Sequence, residues 1–207
     1  MIAIIDYGAG NILSVQKALD HIGCENVVTS DASVISSADG AVLPGVGSFG
    51  DAMRHLEASG LVGTVRDFAA GGKPFLGICL GLQVLFDSSE ESPDASGLSL
   101  MKGEVKRFPS DMGLKIPHIG WNSIEYKSDC PLFQGLGANP YVYFVHSYYL
   151  NAADESVVSA TAEYGIPFHA AVWKGNVFAT QFHPEKSGSV GLQILKNFVG
   201  LVKENDQ

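Results

Sequence analysis

The chain has 207 residues, with 13 basic and 22 acidic side chains for a formal charge of −9, and 46% of its residues are apolar. This acidic balance argues against a nucleic-acid binder, whose affinity comes from clustered Lys and Arg on phosphates. No segment approaches the ~18–20 consecutive apolar residues of a membrane helix, and the N-terminus, MIAIIDYGAGN, lacks the basic region of a secretory signal. The expected compartment is therefore the cytoplasm. Cys24, Cys79 and Cys130 are far apart with no CxxC pair, so neither a disulfide framework nor a zinc site is indicated, and no metal or cofactor is expected.

The first half alternates strand and helix patterns. IAIIDY (2–7) is a short apolar run and reads as a buried strand. Asn11 stands where an N-cap would; Ile12, Val15, Leu19 and Ile22 follow at helical spacing, and Gly23 stops the helix. NVVTS (26–30) and GAVLP (40–44) read as the next strands. Helical patterns come after them, carrying Met53, Leu56, Val62, Val65 and Phe68. PFLGI (74–78) is a further strand and Leu80 opens a helix expected to run through Phe86. After Asp87 comes a polar loop, SSEESPDASG, and then the strand-like pieces EVKRF, SIEYK, YVYFVHSYYL, SVVSATAEY, FHAAVW and NVFATQF. A last helix from about Ser187 has Val190, Ile194, Leu195, Phe198 and Val199 on one face. Short strands alternating with helices imply parallel βαβ units covered on both faces. The expected architecture is thus one α/β domain over 1–207, a doubly wound, mainly parallel sheet flanked by helices, with additional antiparallel strands.

Two glycine-rich loops follow strands. YGAGN (7–11) lacks a third glycine, while Gly45-Val46-Gly47-Ser48-Phe49-Gly50 satisfies GxGxxG. A dinucleotide cradle is disfavoured, because this loop does not belong to the opening βα unit and the acidic residue about 20 positions on, Asp67, lies in a helical stretch. Either the glycines serve a tight turn, or they free backbone N–H groups to face a developing oxyanion.

Gly77-Ile78-Cys79-Leu80-Gly81 places a cysteine between glycines at a strand-to-helix junction. It is the thiol form of a nucleophile elbow: the side chain projects from the sheet edge, the glycines permit close approach, and a helix N-terminus favours an anion there. Such a thiolate needs a base. Among six histidines, His21 and His55 fall on helices and read as surface, and His169 reads as a structural strand residue. His118 and His146 remain possible. His183, at the end of NVFATQF and followed by Pro184 and Glu185, alternates with Glu185 along an extended segment. The carboxylate can then orient the imidazole, and the pair completes a Cys-His-Glu triad.

GICLGLQ with a downstream QFHPEKS resembles the class I, triad-type glutamine amidotransferases. YGAGN, PGVGSFG, PHIGWN and YFVHSYY resemble the histidine-pathway branch of that family, and the likeness covers nearly the whole chain. Leu82 stands where the family more often has Met. The resemblance implies hydrolysis of L-glutamine by Cys79, with His183 as the proton carrier and Glu185 orienting it. Leu80 and the Gly45-Val46-Gly47 loop would supply the oxyanion hole, and Gln83 would contact substrate. It also implies that ammonia passes to a separate (β/α)8-barrel cyclase subunit in a heterodimer, with Asn11, Tyr143 and Lys186 near the passage and His146 a further interface candidate. Trp121 reads as a core residue. Two other readings stay open: an amidotransferase subunit of an aromatic pathway, against which PHIGWN and YFVHSYY argue, and a free-standing γ-glutamyl hydrolase.

Overall fold

The computed structural model describes residues 1–205. The first half runs β1 (Ile2–Ile5), α1 (Ile12–His21), β2 (Asn26–Thr29), α2 (Ala32–Ser37), β3 (Gly40–Gly45), α3 (Phe49–Ala58), α4 (Val62–Ala70), β4 (Phe75–Cys79) and α5 (Leu80–Gln83). The second half is β5 (Ser88–Ser89), β6 (Gly103–Arg107), β7 (His118–Ser123), β8 (Glu125–Tyr126), β9 (Tyr141–His146), β10 (Tyr148–Ala152), β11 (Val158–Tyr164), β12 (Ile166–Lys174), β13 (Val177–Thr180) and α6 (Gly188–Glu204).

The sheet order β2-β1-β3-β4-β13-β12-β10-β6-β5 contains a parallel run from β2 to β13. β12, β10 and β6 extend it antiparallel, and β11 pairs β12 and β8. β7 and β9 form a separate antiparallel pair. The doubly wound expectation is met: from β1 the chain builds outward to β2 on one side and β3 on the other. Strand alternation divides the core. Ala3, Ile5, Leu43 and Phe75 join the layer under α2–α4, while Ile2, Ile4, Val42 and Leu76 join the layer under α1 and α6. The apolar face expected of the last helix is the one buried, except that Val190 is only partly covered.

Four local expectations need correction. YVYFVHSYYL is not one strand: the chain breaks at Ser147, so that Tyr141–His146 pairs β7 and Tyr148–Ala152 joins the main sheet. SIEYK likewise splits, Ser123 ending β7 and Glu125–Tyr126 forming β8. The helix after Cys79 lasts one turn; Leu85 and Phe86 then donate to the carbonyls three residues back, Leu82 and Gln83, in tighter turns. Helix α2 went unanticipated, since it buries only Ile35; Asp31 caps it by accepting from the amides of Ser33 and Val34.

The β4–α5 junction is tightly packed at the sheet's C-terminal edge. A Cβ on Gly81 would stand 2.0 Å from the Leu43 carbonyl oxygen, and one on Gly77 would stand 2.7 Å from the Gly81 carbonyl oxygen. Backbone, unlike a flexible side chain, cannot step aside. Gly81→Ala is therefore expected to cost about 3 kcal/mol or more, the upper end of overpacking. By contrast Gly200, inside α6 with no atom within 4 Å of an added Cβ, should gain about 0.5–1 kcal/mol as alanine. Urea unfolding of the two variants checks both signs.

Candidate active site

Cys79 ends β4 and starts α5 with φ +56° and ψ −108°. A side chain rarely adopts this backbone, and it persists because close backbone packing at Gly77 and Gly81 holds the turn. The thiol is buried, with an exposure of 8%. Because α5 is a single turn, it offers the sulfur a few first-turn amides rather than a long dipole.

β13 brings His183. It pairs parallel with β4, Thr180 opposite Ile78, so the residues just past its end emerge beside Cys79. His183 is buried, and its Nδ1 lies 2.8 Å from Glu185 Oε1, whose side chain is equally buried. That contact leaves Nε2 as the nitrogen available to the site, and Nε2 is buried without a hydrogen-bond partner. Burial by itself would lower the His183 pKa; the neighbouring Cys79 sulfur, with the hydrogen bond and charge of Glu185, outweighs it and raises the value to about 10. The structure thus unites Cys79, His183 and Glu185, with an imidazolium favoured beside the sulfur.

Around the triad lies a pocket of about 440 Å³ whose lining includes Val46, Gly47, Cys79, Leu80, Gln83 and His183. The expected oxyanion and substrate residues therefore meet at one place, with Gly45 just behind. Gly45 faces Cys79 across the β3–β4 pairing, and a Cβ there would stand 2.8 Å from Leu80 Cβ and 2.9 Å from the Tyr7 hydroxyl. Tyr7, in the first glycine loop, donates its hydroxyl to the Pro44 carbonyl at 3.0 Å; burial, then the neighbouring Cys79 charge, pushes its pKa up. Tyr7 was not singled out from the sequence, although the pattern of a strand followed by Tyr-Gly marks a side chain at the same sheet edge.

The GxGxxG loop does not cradle phosphates. The amide of Phe49 donates to Glu91 Oε2 at 2.8 Å and that of Gly50 to Ser92 Oγ at 3.0 Å, while Ser48 Oγ accepts from Asp51. The amides at the N-terminus of α3, which would have held an anion, are taken by the polar loop after Asp87. Glu91 also lines the pocket, its only acidic lining residue among the described residues.

The four interface candidates separate. Asn11 sits at the N-cap position of α1 but makes no side-chain cap; its Nδ2 instead donates to Glu185 Oε1 at 3.4 Å, and its Oδ1 accepts from Ser14. Lys186 is exposed, with Nζ 6.0 Å from the Tyr143 ring centre. Trp121, expected in the core, is 55% exposed and meets Tyr143 edge-on. It lies on β7, whose register places it opposite Tyr143. His146 is not on the exposed face: it is buried and lines the pocket. Its Nδ1 donates to the Tyr148 carbonyl at 2.8 Å and its Nε2 stands 2.9 Å from His118 Nδ1. Burial, with His118 and His183 adding to it, holds the His146 pKa down to about 3, and burial holds that of His118 down to about 4. Both are neutral, so neither competes with His183 as the thiol's partner. His169 is structural as expected: its Nδ1 accepts from the Ala152 amide.

A second network was not visible in the sequence. Gln83 Nε2 donates to the Tyr148 carbonyl at 3.2 Å and to Gln181 Oε1 at 3.0 Å. Gln181 Nε2 in turn donates to Cys79 Sγ at 3.7 Å. Gln181 is fully buried. Its only sequence signal was its place two residues before His183, on the same side of an extended segment.

The model of the family described as glutamine amidotransferase class-I matches residues 3–201. The imidazole glycerol phosphate synthase subunit HisH of Syntrophotalea carbinolica is 55% identical over 203 residues, covering 96% of this chain and 98% of its own. The subunit of the same name from Moorella thermoacetica is 52% identical, covering 98% and 95%. Among solved structures, a glutamine amidotransferase superposes with a TM-score of 0.76 at 20% identity, covering 98% of this chain and all of its own; at that identity the likeness speaks for the fold. The chain belongs to the class-I glutamine amidotransferase family.

Proposed function

We propose that the chain, as one catalytic unit over 1–207, is the glutaminase subunit of an imidazole glycerol phosphate synthase. The observation that carries this reading is the contact of Glu185 with His183 beside a cysteine held at positive φ in a pocket. The names of the relatives more than 50% identical over the full length supply the pathway.

In this reading the Cys79 thiolate attacks the side-chain amide carbon of glutamine. Amides from Leu80 and the Gly45-Val46-Gly47 loop receive the oxyanion. His183, protonated at Nε2 and fixed at Nδ1 by Glu185, delivers its proton to the departing nitrogen as ammonia leaves. The γ-glutamyl thioester remains. His183, now neutral, takes a proton from water and the hydroxide attacks the thioester; glutamate leaves from the Cys79 thiolate and gives its carboxyl proton to solvent, which restores the thiolate beside a protonated His183. Glu91 is placed for the substrate's ammonium group, and Gln83 for a polar group of the same end.

Ammonia in neutral water is largely protonated and loses its nucleophilicity, so the product needs a sheltered exit to a second active site. Trp121, Tyr143 and Lys186 cluster near the triad with large exposed surface on the tryptophan, and Asn11 joins them through Glu185. This is the face assigned to a (β/α)8-barrel cyclase in a heterodimer. Among the described residues no helix is long and apolar enough to cross a membrane, and the subunit is assigned to the cytoplasm. The PGVG loop, with Val46 42% exposed and Gly47 at φ +103°, is the element that docking would reset.

With the cognate cyclase added, Cys79→Ala should lose glutamine-dependent synthesis and keep synthesis from added ammonia; loss of both, measured on the purified pair, overturns the assignment. Docking should also raise glutaminase turnover of the parent chain, and strong turnover by the isolated chain that the cyclase leaves unchanged would remove the loop from control. Glu185→Gln should move the His183 titration, followed by NMR, down from about 10. Because the folded value lies above the unfolded value of about 6.5, the protonated imidazole stabilises the fold fully below about 6.5 and loses that contribution as pH rises through about 10. The stability gap between parent and Glu185→Gln should accordingly shrink across that window in urea titrations.

A further inference from the structure

The direction of each hydrogen bond behind Cys79 follows from one atom. The Tyr148 carbonyl can only accept. Gln83 must therefore turn its Nε2 toward it at 3.2 Å, and the second hydrogen of the same nitrogen goes to Gln181 Oε1 at 3.0 Å. With its oxygen engaged, Gln181 has only Nε2 to offer the sulfur, 3.7 Å away. The amide orientations are thus set by the carbonyl and transmitted in sequence. At the far end the sulfur receives an N–H. That favours a charged sulfur, because hydrogen bonding to an ionised group stabilises the ionised form. At the near end both hydrogens of Gln83 Nε2 are spent, so only Gln83 Oε1 is left for the pocket. Gln181 itself does not line that pocket, is buried completely, and is tied by its backbone amide to the Ala170 carbonyl at 2.8 Å. It stands behind the nucleophile, opposite in role to His183.

We propose that Gln181 fixes the polarity of the site: it donates to the Cys79 sulfur to support the thiolate, and its carbonyl locks Gln83 so that Gln83 Oε1 accepts from a substrate N–H. The substrate half rests on the glutaminase reading above; the sulfur half does not. The consequence for recognition is specific. An acceptor at Gln83 suits the ammonium or amide N–H groups of glutamine and gives nothing to a substrate that offers only oxygens there.

The test uses the full chain with Gln181→Met, which keeps the length and removes both polar ends, and Gln181→Asn, which keeps the amide but withdraws it. Alkylation of Cys79 by iodoacetamide at fixed pH, read by peptide mass spectrometry, needs neither glutamine nor a partner. Both variants should alkylate about tenfold more slowly than the parent, the loss of one hydrogen bond to a charged group. With the cyclase present, both should raise KM for glutamine. Cys130, buried completely, reports a loosened core by becoming alkylated. Parent alkylation rates in folded variants overturn the sulfur role, and an unchanged KM overturns the Gln83 role. Slowing seen only where Cys130 is also labelled reduces Gln181 to a packing residue and overturns both. A parent that turns over no glutamine while the variants still alkylate slowly would fault the glutaminase reading and leave the sulfur contact standing.

Discussion

The parallel pairing of β13 with β4 is the constraint on which the site depends. The two strands are about a hundred residues apart, yet their register sets Thr180 beside Ile78. Parallel strands end at the same edge, so Cys79 at the end of one and His183 just past the other emerge together. An antiparallel insertion at this position would have sent His183 to the opposite edge. The long, mainly antiparallel excursion from β6 to β12 is the means by which the chain returns in the required direction, since β12 reverses and leads into β13 by a short turn.

Around that edge, close backbone approach and polar direction divide the labour. Gly45, Gly77 and Gly81 let three backbone segments meet at distances no Cβ would tolerate, and this holds Cys79 at its strained φ. Direction is then supplied by carbonyls. Tyr148, the first residue of β10, accepts from both Gln83 and His146 with one oxygen. One lone pair orders the glutamines behind the sulfur and the other fixes His146 in the pocket wall, with neutral His118 against its far nitrogen. Tyr148 follows directly on the break at Ser147 and opens β10 opposite Arg107 of β6, which leaves its carbonyl to side-chain donors.

The glycine loop after β3 shows how context reassigns a motif. GxGxxG before a helix suits an anion, but Glu91, Ser92 and Ser48 occupy the leading amides of α3 from the side. What remains free of that bracing is the front of the loop, Val46 and Gly47, which faces Cys79. The loop is thus anchored behind by side chains and beneath by Tyr7.

The sequence by itself determined the layered α/β fold and the triad. Alternation in β1, β3 and β4 and the helical spacing of Ile194, Leu195 and Phe198 are local signals. Gly-x-Cys-x-Gly and His-Pro-Glu carry their geometry within a few residues. Tertiary structure alone decided what depends on residues distant in the chain. Trp121 is exposed because β7 pairs only β9, away from the main sheet. Asn11 reaches Glu185 as well as Ser14 of its own helix because α1 begins beside the His-Pro-Glu turn. Gln181, Glu91 and Tyr148 gained their roles from partners 42 to 102 residues away, and a hydrogen bond of that reach has no spacing for a sequence to display.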